Sequence, residues 1–335
     1  MARYLLRRTL AAIPTLLAIS FVIFAILDLA PGDPTSSFPL SIPPEVREQY
    51  REALGFNDTF LVRYGKWLRQ MTVDEPIALI EQSFGADAGS SRTRIQSWAS
   101  RSPVMDTIAE RLPQTLWVLG VSFLLGIAIA VPLGVVSAYR QYSLVDQLGT
   151  LASMVGYSVP TFFTGLVAII VFSVWLGWFP SFYDTTHEVT DFASFVFQLR
   201  QMAMPVAVLA LFNAAALSRF TRSSMLENLG EDYIRTARAK GVDERGVLLR
   251  HALRNSAIPI VTLIALQIPG IFAGAIITEQ IFRINGLGQA LISAINASDI
   301  PMVQTLTFIF AVLVVASNLL ADVLYGLLDP RIRYE

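Results

Sequence analysis

Glu231-Asp232-Tyr233-Ile234-Arg235-Thr236-Ala237-Arg238-Ala239-Lys240-Gly241-Val242-Asp243 is a charged stretch in a chain otherwise dominated by apolar residues. It lies within a polar segment, Arg219 to Asn255, that separates two hydrophobic runs. No proline occurs between Pro205 and Pro259, so the whole segment can be helical apart from one break. Gly241 supplies that break, because glycine fits the left-handed position just past a helix end. Arg238 and Lys240 suit the negative end of the helix dipole, and Asp243 can cap a second helix beginning at Glu244. The spacing therefore predicts a short helix-turn-helix handle. Gly230, Ile234, Ala237 and Gly241 recur at four, three and four residues, which predicts a narrow helix face open to the backbone of another protein. Two readings are open: the handle docks a soluble protein, or it is a solvated loop whose basic residues only orient the chain in a bilayer.

Composition narrows the class. Of 335 residues, 54% are hydrophobic and 15% charged, with a mean hydropathy of +0.54, far more apolar surface than a soluble domain of this size carries. The chain reads as an integral membrane protein. The absence of cysteine excludes disulfides and thiolate chemistry, and His187 and His251 are too few and too far apart for a histidine-rich metal site. A net charge of -1 gives no sign of nucleic-acid binding.

A hydrocarbon core takes about 20 helical residues to cross. Six stretches meet that requirement: Thr9 to Leu29, Leu116 to Ala138, Leu148 to Val174, Met202 to Leu217, Ile258 to Thr278 and Leu306 to Leu327. The fourth is the shortest and most polar, and extends toward Met225 at most. The first follows Arg3, Arg7 and Arg8 as a signal peptide would. Its long apolar run ends in Leu29-Ala30-Pro31, a poor cleavage site, so it is expected to remain as an anchor.

Arginine and lysine set the expected orientation. Of 25 such residues, 14 fall in the N-terminus, the second-to-third connection, the handle and the tail, whereas the opposite short loops hold only Arg200 and Arg283. Both termini and the handle are thus expected in the cytoplasm, and 30–114 is expected to form an external domain with helical pieces at Pro44 to Leu54 and Phe60 to Met71. The spans themselves are nearly bare of charge: Asp28 and Asp322 sit near span ends, and the middle offers only amides, Asn213, Gln267 and Asn318. Those amides either bond helix to helix or touch a substrate. Pro132, Pro160, Pro205 and Pro269 are expected to kink their helices. An ion-coupled carrier keeps ionisable groups at mid-membrane, and an ATPase needs a Gly-x-x-x-x-Gly-Lys-Ser/Thr loop; both are missing from the sequence. A bundle with a docking handle and no energy source of its own points to a motor on another chain.

Motifs along nearly the whole chain carry a family resemblance. They are Arg3-Tyr4-Leu5-Leu6-Arg7-Arg8 with Ile13-Pro14-Thr15-Leu16-Leu17, Pro31-Gly32-Asp33-Pro34, Leu54-Gly55-Phe56 with Arg63-Tyr64, and Arg111-Leu112-Pro113-Gln114-Thr115-Leu116. Further on come the handle from Tyr233 to Gly241, His251-Ala252-Leu253-Arg254-Asn255, Glu279-Gln280-Ile281-Phe282 with Gly286-Leu287-Gly288, and the tail Asp329-Pro330-Arg331. The sequence resembles the permease subunits of bacterial ABC importers for dipeptides, oligopeptides and nickel, specifically the first permease of each pair.

The resemblance implies an all-α membrane protein with six transmembrane helices, the type I ABC importer permease fold. It implies an external domain between helices 1 and 2 and a cytoplasmic coupling helix between helices 4 and 5. The parts are then 1–29, the N-terminus and first span; 30–114, external; and 115–335, the permease core with coupling loop 219–255. It implies inner-membrane localisation, with a second permease subunit, two ABC ATPase subunits, an external substrate-binding protein and membrane lipid as partners. Cofactors are expected only on the ATPases, as ATP and magnesium. Glu231, Tyr233, Arg235, Thr236, Ala237, Arg238, Ala239, Lys240, Gly241 and Asp243 are the expected ATPase-coupling residues. Asn213, Gln267 and Asn318 are the expected pathway residues.

Against the general form Glu-Ala-Ala-x-x-x-Gly-x9-Ile-x-Leu-Pro, the chain has Arg235, Thr236 and Ala237 in the first three places, His251 in the isoleucine place and Arg254 in the proline place. Arg283-Ile284-Asn285-Gly286 has asparagine where the branch commonly has proline, and the region after Glu81 has no clear Asp-Leu-Gly-x-Ser match. Peptides are the expected cargo; nickel, glutathione or another small solute is the alternative within the architecture. An ion-coupled secondary transporter or a membrane scaffold is the alternative class.

Overall fold

A computed structural model describes residues 2–29, 42–53, 55, 57–84 and 94–328. Pro31-Gly32-Asp33-Pro34, Leu54, Phe56 and Asp329-Pro330-Arg331 lie outside the described residues, as does the part of the expected external segment over 85–93. Among the described residues the only β pairing is an isolated bridge between Gln96 and Pro103. The rest of the regular structure is helical, from α1 (Ala2–Asp28), α2 (Pro44–Ala53) and α3 (Phe60–Arg69), which runs through a π turn into α4 (Glu75–Ser83).

Long apolar helices dominate the remainder of the chain: α5 (Val104–Tyr139), α6 (Leu144–Ser158), α7 (Thr161–Ala168, extended by a π segment to Trp175) and α8 (Phe192–Leu229). After the short α9 (Asp232–Ala239) and α10 (Glu244–Gly246), a π segment at Val247–Ala252 leads into α11 (Leu253–Phe282), then α12 (Leu287–Asn296) and α13 (Ile300–Leu328). Five helices are long and apolar enough to cross a membrane, and α6 with α7 makes a sixth span if the bent pair counts as one.

The third span, expected over Leu148 to Val174 with a kink at Pro160, is bent there more sharply than a kinked helix. It breaks between Ser158 and Thr161 and turns by 106°. Proline disfavours a helical conformation in the residue before it, and Val159 is extended, with ψ 125°. Pro160 then starts α7 as its N-cap residue. Pro132 and Pro205 by contrast stay inside continuous helices. The fourth span runs well beyond Met202 to Leu217. At 38 residues α8 is about 57 Å long, nearly twice the thickness of a hydrocarbon core. Its start is defined by a capping box, in which Asp191 accepts from the Ser194 N–H and Ser194 Oγ receives the Asp191 N–H.

The chain divides into two compact units. One comprises Met1–Thr9, Gln114–Gln289 and Val314–Glu335. Its core gathers Val118, Leu119, Met202, Met204, Val206, Leu209, Phe282 and Ile284 into one buried cluster, and Ala130, Ala214, Leu217 and Ile260 into another. Gly134 lets α5 and α8 touch: a Cβ there would stand 2.6 Å from Thr221 Cβ.

The other unit comprises Leu10–Pro113 and Ala290–Leu313. Phe21, Phe24, Phe60, Tyr64, Trp67 and Phe308 interlock there through edge-on and tilted contacts with centroids 5.3–6.3 Å apart. Arg94 bridges the fully buried Glu75, at 2.9 Å, and Asp106, at 2.8 Å. Burial opposes the Arg94 charge, but hydrogen bonds to Asp106 and Glu75 outweigh it and hold the guanidinium above its ordinary pKa. Asp28, expected near the end of the first span, meets Arg63 at 2.7 Å.

Candidate functional site

The handle is present, and its turn has the predicted chemistry. Gly241 has φ +78°, its N–H donates to Arg238 O at 2.9 Å, and the Val242 N–H donates to Ala237 O at 3.2 Å. Those two bonds form a Schellman closure, which satisfies the last carbonyls of α9. Asp243 caps the next helix by accepting the Gly246 N–H at 3.3 Å. The segment has two breaks rather than the one expected, because the chain also turns at Gly230 and Glu231, where Glu231 is extended with ψ 152°.

That second turn exists because α9 folds back onto its own protein. Ile234 is fully buried and Ala237 is buried, packed with Val135 and Ala138 of α5, Met225 of α8, and Val247 and Ala252 at the head of α11. The face expected to receive another protein's backbone is therefore the inward face at Ile234 and Ala237. Bulk is excluded there by the chain's own core. The outward face carries Tyr233, Arg235, Thr236, Arg238, Ala239 and Lys240, with Glu231, Gly241 and Asp243 exposed at the helix ends. Arg235 pairs with Asp232 at 3.1 Å and Arg238 with Glu244 at 2.9 Å. Tyr233 donates to Asn228 Oδ1 at 2.6 Å, and Ser256 Oγ donates to Ser224 O at 3.1 Å, joining the ends of α8 and α11.

The three residues expected to line a pathway lie on three helices. Asn213 is half-buried on α8, Asn318 is exposed on α13, and Gln267 is half-buried on α11 with its Oε1 atom enclosed and unpartnered among the described residues. The structure brings no contact among the three.

Two carboxylates within the apolar helices are buried in roles the sequence did not show: Glu279, quoted above only as part of a motif, and Asp146. Glu279 is 1% exposed. It accepts from Thr115 Oγ1 at 2.7 Å, the Gly288 N–H at 2.7 Å and the Gln289 N–H at 3.2 Å, while Leu287 N–H donates to Thr115 Oγ1 at 2.8 Å. One side chain thus fastens α5, α11 and the N-terminus of α12, where a carboxylate meets the positive end of the helix dipole. Gly288 has no room for a side chain: a Cβ would lie 2.5 Å from Ile276 Cα. The spacing Glu279…Gly286-x-Gly288 was the signal available in the sequence. Asp146, near the start of α6, accepts from Arg222 Nε at 2.6 Å and Arg222 Nη2 at 2.9 Å, joining α6 to α8. Asp322 meets Arg8 at 3.4 Å.

Spans joined by a seated, outward-facing short helix define a membrane permease architecture, and solved structures share it. The chain matches an amino acid ABC transporter solved with histidines at TM-score 0.51 and 12% identity, over 66% of this chain and 94% of that one. It matches the MetNI methionine ABC transporter in inward-facing conformations at TM-score 0.53 and 16% identity, over 68% and 98%. The fold is that of the type I ABC importer permeases.

The sequence fits the description "Binding-protein-dependent transport system inner membrane component" over residues 130–334, and the corresponding N-terminal membrane component over residues 1–119. The chain belongs to this family of transport permeases. Among its relatives, the oligopeptide transport system permease protein AppB of Bacillus subtilis (strain 168) is 42% identical, with 100% of each chain covered. A putative peptide transport system permease protein of Brucella abortus (strain 2308) is 37% identical, and the glutathione transport system permease protein GsiC of Salmonella paratyphi A is 33% identical, again with 100% of each covered. The protein is thus a membrane transport component and not an enzyme, and membership implies ATPase and substrate-binding partners.

Proposed function

We propose that this chain is the first permease of a peptide importer and forms half of the translocation pathway together with a second permease. Two ATPases, carrying ATP and magnesium, drive it from the cytoplasm, and an external binding protein delivers the cargo. The observation that carries this reading is the seating of α9. Its inner face is locked into the ends of α5, α8 and α11, so a push on its outer face is transmitted to three long helices at once. ATP binding by the partners biases two access states through that contact, because a ligand shifts an equilibrium only by its differential interaction with the two states.

A cytoplasmic handle, N-terminus and tail, with 30–114 outside, is supported by the concentration of arginine and lysine in those three segments. Glu231, Tyr233, Arg235, Thr236, Arg238, Ala239, Lys240, Gly241 and Asp243 form the contact surface, and Ala237 contributes by seating the helix. Asn213, Gln267 and Asn318 are the pathway positions. Peptides as cargo are supported by the peptide transport that names the relatives at 37–42% identity.

The chain has no cysteine, so single cysteines report contacts cleanly. In the assembled complex Ala239→Cys should crosslink to an ATPase through a short maleimide reagent, and Ala237→Cys should not. Labelling of Ala239→Cys by a membrane-impermeant reagent from outside intact cells would overturn both the docking and the orientation.

A further inference from the structure

A cleft of about 280 Å³ lies among the turn before α5, the first turns of α5, and the junction of α12 with α13. Ser97, Ser100, Ser102, Thr107, Arg111 and Ser293 supply its polar wall, and small alanine side chains supply much of the rest. Thr107 and Arg111 are four residues apart on α5 and so share one face.

Three observations make this a binding site rather than a packing gap. First, Arg111 is half-buried, and among the described residues no carboxylate or other acceptor engages it; the hydroxyls of Thr107 and Ser293 are equally unengaged. Second, the one carboxylate in the lining, Asp299, is already used. Its Oδ1 accepts from the N–H groups of Trp98 and Met302 at 3.0 and 3.3 Å, and its Oδ2 accepts from Ser97 Oγ and the Ala99 N–H. Asp299 keeps its charge, but its lone pairs are taken by neutral donors and it forms no ion pair with Arg111, so the guanidinium is left without an acceptor among the described residues. Third, Arg101 and Ser298, in the two turns that Asp299 ties together beside the cleft, are held at φ +60° and +54°, a region that non-glycine residues rarely adopt.

We propose that this cleft binds the C-terminal carboxylate of a peptide, with Arg111 as the countercharge and the Thr107 and Ser293 hydroxyls as donors. A guanidinium grips a carboxylate through two parallel hydrogen bonds, and rotatable hydroxyls complete its coordination. The volume lies just below that of sites for drug-sized ligands, so the cleft takes the last one or two residues of a peptide and leaves the remainder free. The small lining side chains set little restriction on which residues those are. This site rests on the peptide-import reading. In the orientation proposed above it belongs to the side where cargo arrives, since Ser97 to Arg111 fall within the external segment 30–114.

The test uses the full permease–ATPase complex in nanodiscs without the binding protein, titrated calorimetrically with trialanine and with trialanine amide. Trialanine should bind roughly 10- to 100-fold more tightly than its amide. Arg111→Gln should abolish that discrimination, and Arg111→Lys should keep part of it. Equal binding of the two peptides, no binding of trialanine, or discrimination that survives in Arg111→Gln overturns the proposal. So does an Arg111→Gln complex that binds trialanine normally but loses its binding protein, because the carboxylate then belongs to that protein. ATP-driven uptake of trialanine by the complete wild-type system is measured in parallel. Its absence would sink the peptide reading itself, whereas uptake without discrimination at the permease sinks only this subsite.

Discussion

Gly241 shows how one position ties backbone geometry to coupling. A Cβ at this residue would touch nothing within 4 Å, so the cost of replacing it comes from the backbone alone. At φ +78° a β-branched residue is strained by about 1–2 kcal/mol, while asparagine tolerates the region. Gly241→Asn should keep ATPase co-purification near wild type, and Gly241→Val should reduce it while the protein still reaches the membrane. A different logic governs Glu279, whose carboxylate accepts three hydrogen bonds in a site closed to water. Glu279→Gln keeps the shape but turns an NH₂ toward a donor, at a cost on the order of 1–3 kcal/mol. A lower midpoint in thermal unfolding of the detergent-solubilised protein checks this, and unchanged stability would remove Glu279 from the role of fastener.

Helix α9 is short, eight residues, and too short to be stable in water alone. Its order comes from Ile234 and Ala237 in the core cluster and from the Gly241 closure at its C-terminus, which is why it can act as a rigid element. Between α6 and α8 the connection is electrostatic. The Asp146 side chain is 5% exposed and that of Arg222 is 27% exposed. Removing one partner leaves a buried charge uncompensated, so Arg222→Ala should cost toward the lower end of about 3–5 kcal/mol, given the residual exposure. Pairing Arg222→Ala with Asp146→Asn should recover part of the loss. A double-mutant cycle on thermal stability measures the coupling, and additive effects would show that the pair holds nothing together.

The chain lacks a Gly-x-x-x-x-Gly-Lys-Ser/Thr loop, and two of its buried carboxylates, Glu279 and Asp146, are committed to helix fastening. Reconstituted alone into liposomes under a proton or sodium gradient, it should move no peptide. With the second permease, the ATPases, the binding protein and ATP, uptake should appear. Gradient-driven uptake by the isolated chain would assign it to the secondary carriers. The functional surfaces differ in how far they could be read in advance. The coupling turn was legible because Gly241 and Asp243 act locally, each through its own backbone. The orientation of α9 was not, since the Gly230, Ile234, Ala237, Gly241 spacing fits an outward groove as well as an inward seat. The fastening roles of Glu279 and Asp146 were not legible because their partners, Thr115 and Gly288 for Glu279 and Arg222 for Asp146, are distant in sequence or on another helix.

What the amino-acid order determined by itself was everything that depends on local periodicity and composition: the number of apolar spans, the handle between the fourth and fifth, the break at Gly241, and the family. What only the tertiary structure decided was which face of each helix is spent internally. It turned Ile234 and Ala237 inward, set how far the third span bends at Pro160, and enclosed Glu279. It also satisfied Asp299 while leaving Arg111 open. The reason is physical: helix formation is set by neighbours three or four residues away, whereas burial and charge pairing are set by whichever residues the packed chain brings alongside.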